Sequence, residues 1–183
     1  KINNNKYEVL GGCGNVARNI CSAGSSCHLI TISGDDHESS VLKKLLKETK
    51  KLTFNLVTDK DRCTTKKIRF VSDNQQILRV DREFNDQINS RIAAKILNLF
   101  KNKIDGFDVV VISDYGKGML TDSLLKSIIE ISKKKKKKII VDPKKHDFSP
   151  YKGATIITPN FKELLQAMDN DKIGDNKDNS KLV

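Results

Sequence analysis

Apolar residues recur along this chain at two spacings, and their alternation predicts an α/β order. Asn15 to Ala23 carries helical spacing and closes at Gly24, Cys27 to Ser33 reads as a strand, and Ser40 to Lys50 returns to helical spacing. Ahead of them, Tyr7 to Leu10 predicts the end of a short strand. Thr64 to Val71 and Gln76 to Val80 alternate apolar and polar positions around Ser72, Asp73 and Asn74, which predicts a half-exposed hairpin outside the main sheet. The α/β rhythm then resumes. Gln87 to Phe100 is amphipathic, Asp108 to Ser113 is a dense β-branched run, and Thr121 to Lys138 has helical spacing. Ile139 to Val141 and Ala154 to Ile157 read as buried strands, and Phe161 to Met168 as a helix. Continuous apolar strands predict a sheet covered on both faces, and helix-length crossovers predict parallel pairing.

Composition narrows the function classes. With 183 residues and 37% hydrophobic content, the chain can bury one substantial core. The polar, Asn-rich opening Lys1 to Lys6 and the charged tail Asp169 to Val183 predict a partial domain, a piece of a larger unit. The net charge of +11 owes much to Lys133 to Lys138, which reads as the solvated last turn of the helix begun near Thr121. Without interleaved aromatics for base stacking, that run gives no reason to expect a nucleic-acid partner. Cys13, Cys21, Cys27 and Cys63 show no paired metal-ligand spacing, and His28, His37 and His146 form no local cluster with them. A reduced, cytoplasmic setting with no membrane contact is the expectation.

Chemistry-bearing residues collect at three predicted strand ends. Asp108 to Ser113 runs into Asp114-Tyr115-Gly116-Lys117-Gly118, Ile139 to Val141 into Asp142-Pro143-Lys144-Lys145, and Ala154 to Ile157 into Thr158-Pro159-Asn160-Phe161-Lys162-Glu163. Ligands of parallel sheets bind beyond the carboxyl ends of the strands, so acids, lysines and glycines gathered there suit phosphates. At a helix entrance, Glu163 can hold water on a magnesium ion, while unpaired backbone N–H groups favour anions. A second reading of the same pair is a capping box, with Asn160 as N-cap and Glu163 reaching back to it.

The glycine loop Gly11-Gly12-Cys13-Gly14-Asn15-Val16-Ala17 leaves three readings open. Gly12, Gly14 and Ala17 match the dinucleotide pattern, and Asp35 and Asp36 lie about twenty residues onward, where a ribose-binding acid is expected. A sugar-binding glycine turn and a plain strand-to-helix turn fit equally well locally. Three function classes follow: a phosphotransferase, a dinucleotide-dependent oxidoreductase and a non-catalytic binding module.

Five blocks taken together carry a family resemblance. They are Gly11-Gly12-x-x-Asn15-Val16-Ala17-Arg18-Asn19, Asn74-Gln75-Gln76 with Arg79-x-Asp81, Ser113-Asp114-Tyr115-x-Lys117-Gly118, Asp142-Pro143-Lys144 and Thr158-Pro159-Asn160-x-x-Glu163. In this order they resemble the ribokinase-like (PfkB) carbohydrate kinases, specifically the heptose 7-phosphate kinase domain of ADP-heptose synthesis. The resemblance implies ATP and Mg2+ as ligands and phosphorylation of D-glycero-β-D-manno-heptose 7-phosphate at its anomeric hydroxyl, feeding lipopolysaccharide core assembly. It implies sugar contacts at Gly11, Gly12 and Asn15, and a substrate lid at Thr64 to Val80 whose Arg69 and Arg79 face the 7-phosphate. Lid hairpins of that family can pair between subunits, so the resemblance also implies a possible homodimer through the lid. It further implies ATP and phosphate contacts at Lys117, Lys144, Asn160 and Glu163, with Glu163 on magnesium through water. Lys145 departs from the family's usual glycine, and Gly14 stands where alanine is frequent. The family's early strand with its sugar-binding aspartate, and its later segment with the general-base aspartate and anion hole, have no match here. The resemblance therefore implies little turnover by this stretch alone.

Overall fold

A computed structural model describes residues 6–72 and 75–175, with side chains as far as Met168. The chain divides into two compact units, Lys1–Asp86 and Gln87–Val183.

In the first unit, α1 (Gly12–Ser22) leads to β1 (Cys27–Ser33), α2 (His37–Glu48) and β2 (Leu52–Thr58), followed by a hairpin of β3 (Lys66–Ser72) and β4 (Gln75–Arg82). β1 and β2 pair in parallel from Cys27 opposite Leu52 to Ser33 opposite Thr58, and α2 is their crossover. Helix α2 starts at His37 because Asp36 is its N-cap: the carboxylate accepts the Ser39 N–H at 3.0 Å. The other Asp36 oxygen accepts Thr64 N–H at 2.8 Å, while Thr64 Oγ1 accepts Gly34 N–H at 2.9 Å. One cap thus also secures the root of the hairpin. A buried Arg62–Asp59 ion pair of 3.0 Å lies beside it, with the guanidinium over the Phe84 ring.

Two expectations for this unit need correction. Residues 6–11 form no strand: Tyr7 and Val9 lie in the open and only Leu10 is buried, so no apolar face is available to offset the cost of pairing. The expected elements leave Lys50 to Thr64 without a strand, yet β2 lies there. Its signal is the alternation Leu52, Phe54, Leu56 directly after a helix.

The hairpin forms as expected, antiparallel, with Ile68 opposite Val80 and Phe70 opposite Leu78. The expected turn residues Asp73 and Asn74 lie outside the described residues. One hairpin face is apolar and exposed (Ile68, Phe70, Leu78, Val80), and the other carries Lys67, Arg69, Arg79 and Asp81.

The second unit contains α3 (Ser90–Lys103), β5 (Val109–Ser113), α4 (Asp122–Lys134), β6 (Lys138–Asp142), β7 (Ile156–Ile157) and α5 (Phe161–Asp175). β5, β6 and β7 pair in parallel in that order. Asn89 caps α3 and Thr121 caps α4 through side-chain oxygens. Leu124, Leu125, Ile128 and Ile129 form the buried stripe of α4, and Ile112, Ile139 and Val141 the buried face of the sheet. On the opposite face Val109, Val111 and Ile156 remain exposed, so that face is less covered than continuous apolar strands predict.

The lysine run is divided rather than helical throughout. α4 ends at Lys134, Lys136 turns left-handed at φ 55, Lys137 N–H returns to Ser132 C=O, and Lys138 already pairs with Val109 in the sheet. The strand must begin at Lys138 to place Ile139 and Val141 in the core, and that requirement stops the helix.

Candidate active site

Parallel register brings three strand ends side by side in the second unit. Ser113 lies opposite Asp142 and Val141 opposite Ile157. Asp114 N–H donates to Asp142 C=O at 2.9 Å, and Thr158 N–H to Val141 C=O at 2.9 Å, so the segments leave the sheet together. Beyond them opens a cleft of about 310 Å3, lined by Asp114 and Tyr115 from the first end, Asp142, Pro143 and Lys144 from the second, and Thr158, Pro159, Asn160 and Glu163 from the third. The expected convergence at this rim is observed. Lys117 follows on the first loop, but it is not among the residues lining the cleft.

Asn160 and Glu163 form a complete capping box. Asn160 N–H donates to Glu163 Oε2, and Glu163 N–H donates to Asn160 Oδ1, both at 3.0 Å. The capping reading is thus met, and it leaves Oε1 of Glu163 turned toward Lys144 Nζ at 3.3 Å. The Asn160 backbone N–H and then the Lys144 ammonium hold the Glu163 carboxyl below its ordinary value, so it is an anion at neutral pH.

Asp142 behaves oppositely. Burial, then the charges of Glu163 and Asp114, push its carboxyl up, with Lys144 offsetting part of this. Excess negative charge on one side of the cleft and a half-exposed lysine beside it match a cation bound together with a polyanion. Among the described residues, no group of three or more His, Cys, Asp or Glu side chains is arranged to hold a metal ion directly. A magnesium ion carried in with phosphate oxygens and water suits such a donor set better than a bare protein cage.

Tyr151 escaped the reading of the sequence. Its hydroxyl donates to Asp114 Oδ2 at 2.7 Å inside the core. The Pro150-Tyr151 turn before Gly153 gave no local sign of it, because the contact spans 37 positions. Lys145, the departure after Asp142-Pro143-Lys144, pairs with Asp122 at the start of α4.

The sugar-side candidates lie in the first unit. Gly11 is the extended N-cap of α1, and Gly12 enters the helix at φ 50, a conformation that favours glycine. Asn15 accepts from Arg18 through its amide oxygen at 2.7 Å, which leaves the amide NH2 to donate. The dinucleotide reading of Gly12, Gly14 and Ala17 loses its context here. No strand precedes α1 in residues 6–11, and both carboxylate oxygens of Asp36 are taken by backbone N–H groups, of Ser39 and of Thr64. Arg69 and Arg79 face each other across the hairpin, and Arg79 Nε lies 3.2 Å from Asp81.

Comparison with known proteins gives the family and the fold. The chain is 42% identical over 159 residues to the bifunctional protein HldE of Aliarcobacter butzleri, which covers 87% of this chain and 33% of that protein. Against the HldE of Helicobacter pylori strain HPAG1 it is likewise 42% identical, covering 87% of this chain and 34% of that protein. The chain thus spans about a third of the length of these relatives. Among solved structures, a mutant of phosphofructokinase-2 from Escherichia coli matches with a TM-score of 0.69 at 22% identity, over 87% of this chain and 52% of that one. Ribokinase from Giardia lamblia matches with a TM-score of 0.62 at 14% identity, over 91% and 54%. These structures share the fold, a ribokinase-like α/β arrangement of parallel strands and helices. The family model for pfkB carbohydrate kinases matches residues 3–183, and this chain belongs to that family.

Proposed function

We propose that the protein is an ATP-dependent sugar kinase that phosphorylates D-glycero-β-D-manno-heptose 7-phosphate at its anomeric hydroxyl, giving the 1,7-bisphosphate. The observation that carries this reading is the cleft at three parallel strand ends, where Lys144, Asn160 and Glu163 meet. Identity of 42% to bifunctional HldE proteins, together with the five ordered motifs, supports the choice of a heptose phosphate over other sugars.

Mg-ATP, when bound, supplies the phosphoryl group and a cation that screens its charge. Lys144 and Glu163 are the residues that would hold it, the ammonium against phosphate oxygens and the carboxylate against the water shell of the cation. Lys117, on the neighbouring loop and outside the cleft lining, would have to reach in to make a second basic contact. Asn160 keeps the entrance of α5 ordered and its N–H groups directed at anionic oxygens. On the sugar side, Gly11 and Gly12 admit the substrate close to the backbone, Asn15 donates from its amide, and Arg69 and Arg79 take the 7-phosphate. The exposed apolar face of the hairpin, Ile68, Phe70, Leu78 and Val80, is the surface through which two copies pair. Among the described residues, no helix is long and apolar enough to cross a membrane, and a cytoplasmic site of action follows from the substrates.

Phosphorus NMR of the full-length protein with Mg-ATP and heptose 7-phosphate tests the reading. ADP together with a new anomeric phosphate is the expected result. A folded protein that consumes ATP with another sugar phosphate but leaves the heptose untouched would overturn the substrate assignment.

A further inference from the structure

We propose that Tyr151 is a positioning residue for the nucleotide side of this site: its hydroxyl sets the spacing between the Asp114 loop and the Lys144 loop, and with it the place of the Lys144 ammonium. The inference rests on the kinase reading above.

Tyr151 comes from the short turn Ser149–Tyr151, outside all three strand-end motifs, and its side chain is fully buried. Its hydroxyl donates to Asp114 Oδ2 at 2.7 Å. The backbone N–H groups of Lys144 and Lys145 point at the same hydroxyl oxygen from 3.4 Å, long for hydrogen bonds but convergent on one atom. The second oxygen of Asp114 accepts Gly116 N–H at 2.8 Å, which shapes the glycine loop. One phenol therefore joins the loop that carries Lys117 to the loop that carries Lys144. A buried carboxylate without a donor is costly, so Asp114 holds the hydroxyl firmly. Burial and the Asp114 charge also push the phenol further above its ordinary range, so it remains a donor and takes no part in proton transfer. The position of the two loops is what it controls.

Tyr151→Phe keeps the ring and removes only the joint. In the full-length protein the expected result is a KM for Mg-ATP raised about tenfold, with the KM for the sugar phosphate unchanged within about twofold, a split that general loosening does not produce. Hydrogen exchange should quicken at the Lys144 and Lys145 amides while Ile139 to Val141 stay protected. An active variant with an unchanged KM for Mg-ATP would sink the inference alone. Faster exchange throughout the sheet would also overturn it, by showing that the hydroxyl serves the core as a whole. If the wild type transfers no phosphate to any sugar, the kinase reading fails first and takes this inference with it.

Discussion

Asn160 and Glu163 cap each other through two N–H to oxygen bonds of 3.0 Å, so the pair proposed to serve nucleotide binding also starts helix α5. These roles separate by substitution. Asn160→Ala removes a cap and should cost about 1 kcal/mol of stability. Turnover with Mg-ATP should fall by about 10- to 100-fold, more than that cost explains. Denaturant unfolding and steady-state kinetics on the same variant decide. Comparable losses would leave only the cap.

The charge on Glu163 gives a pH test with a definite sign. Its carboxyl is held below the ordinary value of 4.5 when folded, so its contribution to stability is fully present above that value. The contribution disappears as pH falls through the lowered value. Glu163→Gln keeps an acceptor for Asn160 N–H but has no charge to titrate. The thermal midpoint of the wild type should exceed that of the variant near pH 7, and the gap should close progressively below about pH 4.5.

Asp142 should respond in the reverse sense. Its carboxyl is raised above the ordinary 3.8 by burial and by the neighbouring acids, so its ionised form disfavours the folded state at neutral pH. Asp142→Asn should melt higher than the wild type at pH 7, with the difference vanishing as pH falls below about 3.8. Millimolar Mg2+ with ATP should raise the wild-type midpoint more than that of the variant, because the cation relieves a repulsion the variant lacks. A midpoint for Asp142→Asn below the wild type at pH 7 would contradict this account.

Arg69 and Arg79 occupy directly opposed positions on β3 and β4. Like charges in such a pair destabilise a hairpin unless an anion joins them. Arg69→Gln should leave the thermal midpoint unchanged or slightly raised, whereas Arg79→Gln also gives up the half-exposed ion pair with Asp81 and should shift it little in either direction. The KM for the sugar phosphate should rise about 10- to 100-fold, with kcat changed less than about threefold. A sugar lacking its phosphate should show no such discrimination between wild type and variants.

Gly34 is a structural constraint rather than a site residue. A Cβ there would stand 2.5 Å from Arg62 C=O and 2.9 Å from Thr64 N, both backbone atoms that cannot swing aside. Gly34→Ala should therefore cost about 1–3 kcal/mol in denaturant unfolding and loosen the root of the hairpin.

Much of this molecule follows from local pattern. β1 covers the expected residues, and the hairpin, the expected helices and strands β5 and β6 arise where the spacing of apolar residues places them, because burying a stripe or a face is a property of ten or so neighbouring positions. The helix starts moved where caps intervened, as Asp36 does for α2, and the Tyr7 to Leu10 strand failed for want of a face to bury. β2 was not expected, although its alternation is present.

By itself, the sequence determined most of the helices and strands and the three chemically rich segments at strand ends, since each depends on nearby residues. Only the tertiary structure decided that Asp114, Asp142, Lys144 and Glu163 share one cleft, that Lys117 stands outside its lining, and that Tyr151 bonds Asp114 across 37 positions. It also decided that Arg69 stands opposite Arg79 in the hairpin register, with Asp81 beside Arg79. The physical reason is the same in each case: a hydrogen bond or a like-charge pair depends on distance in space, and register and packing set that distance, whereas spacing along the chain does not.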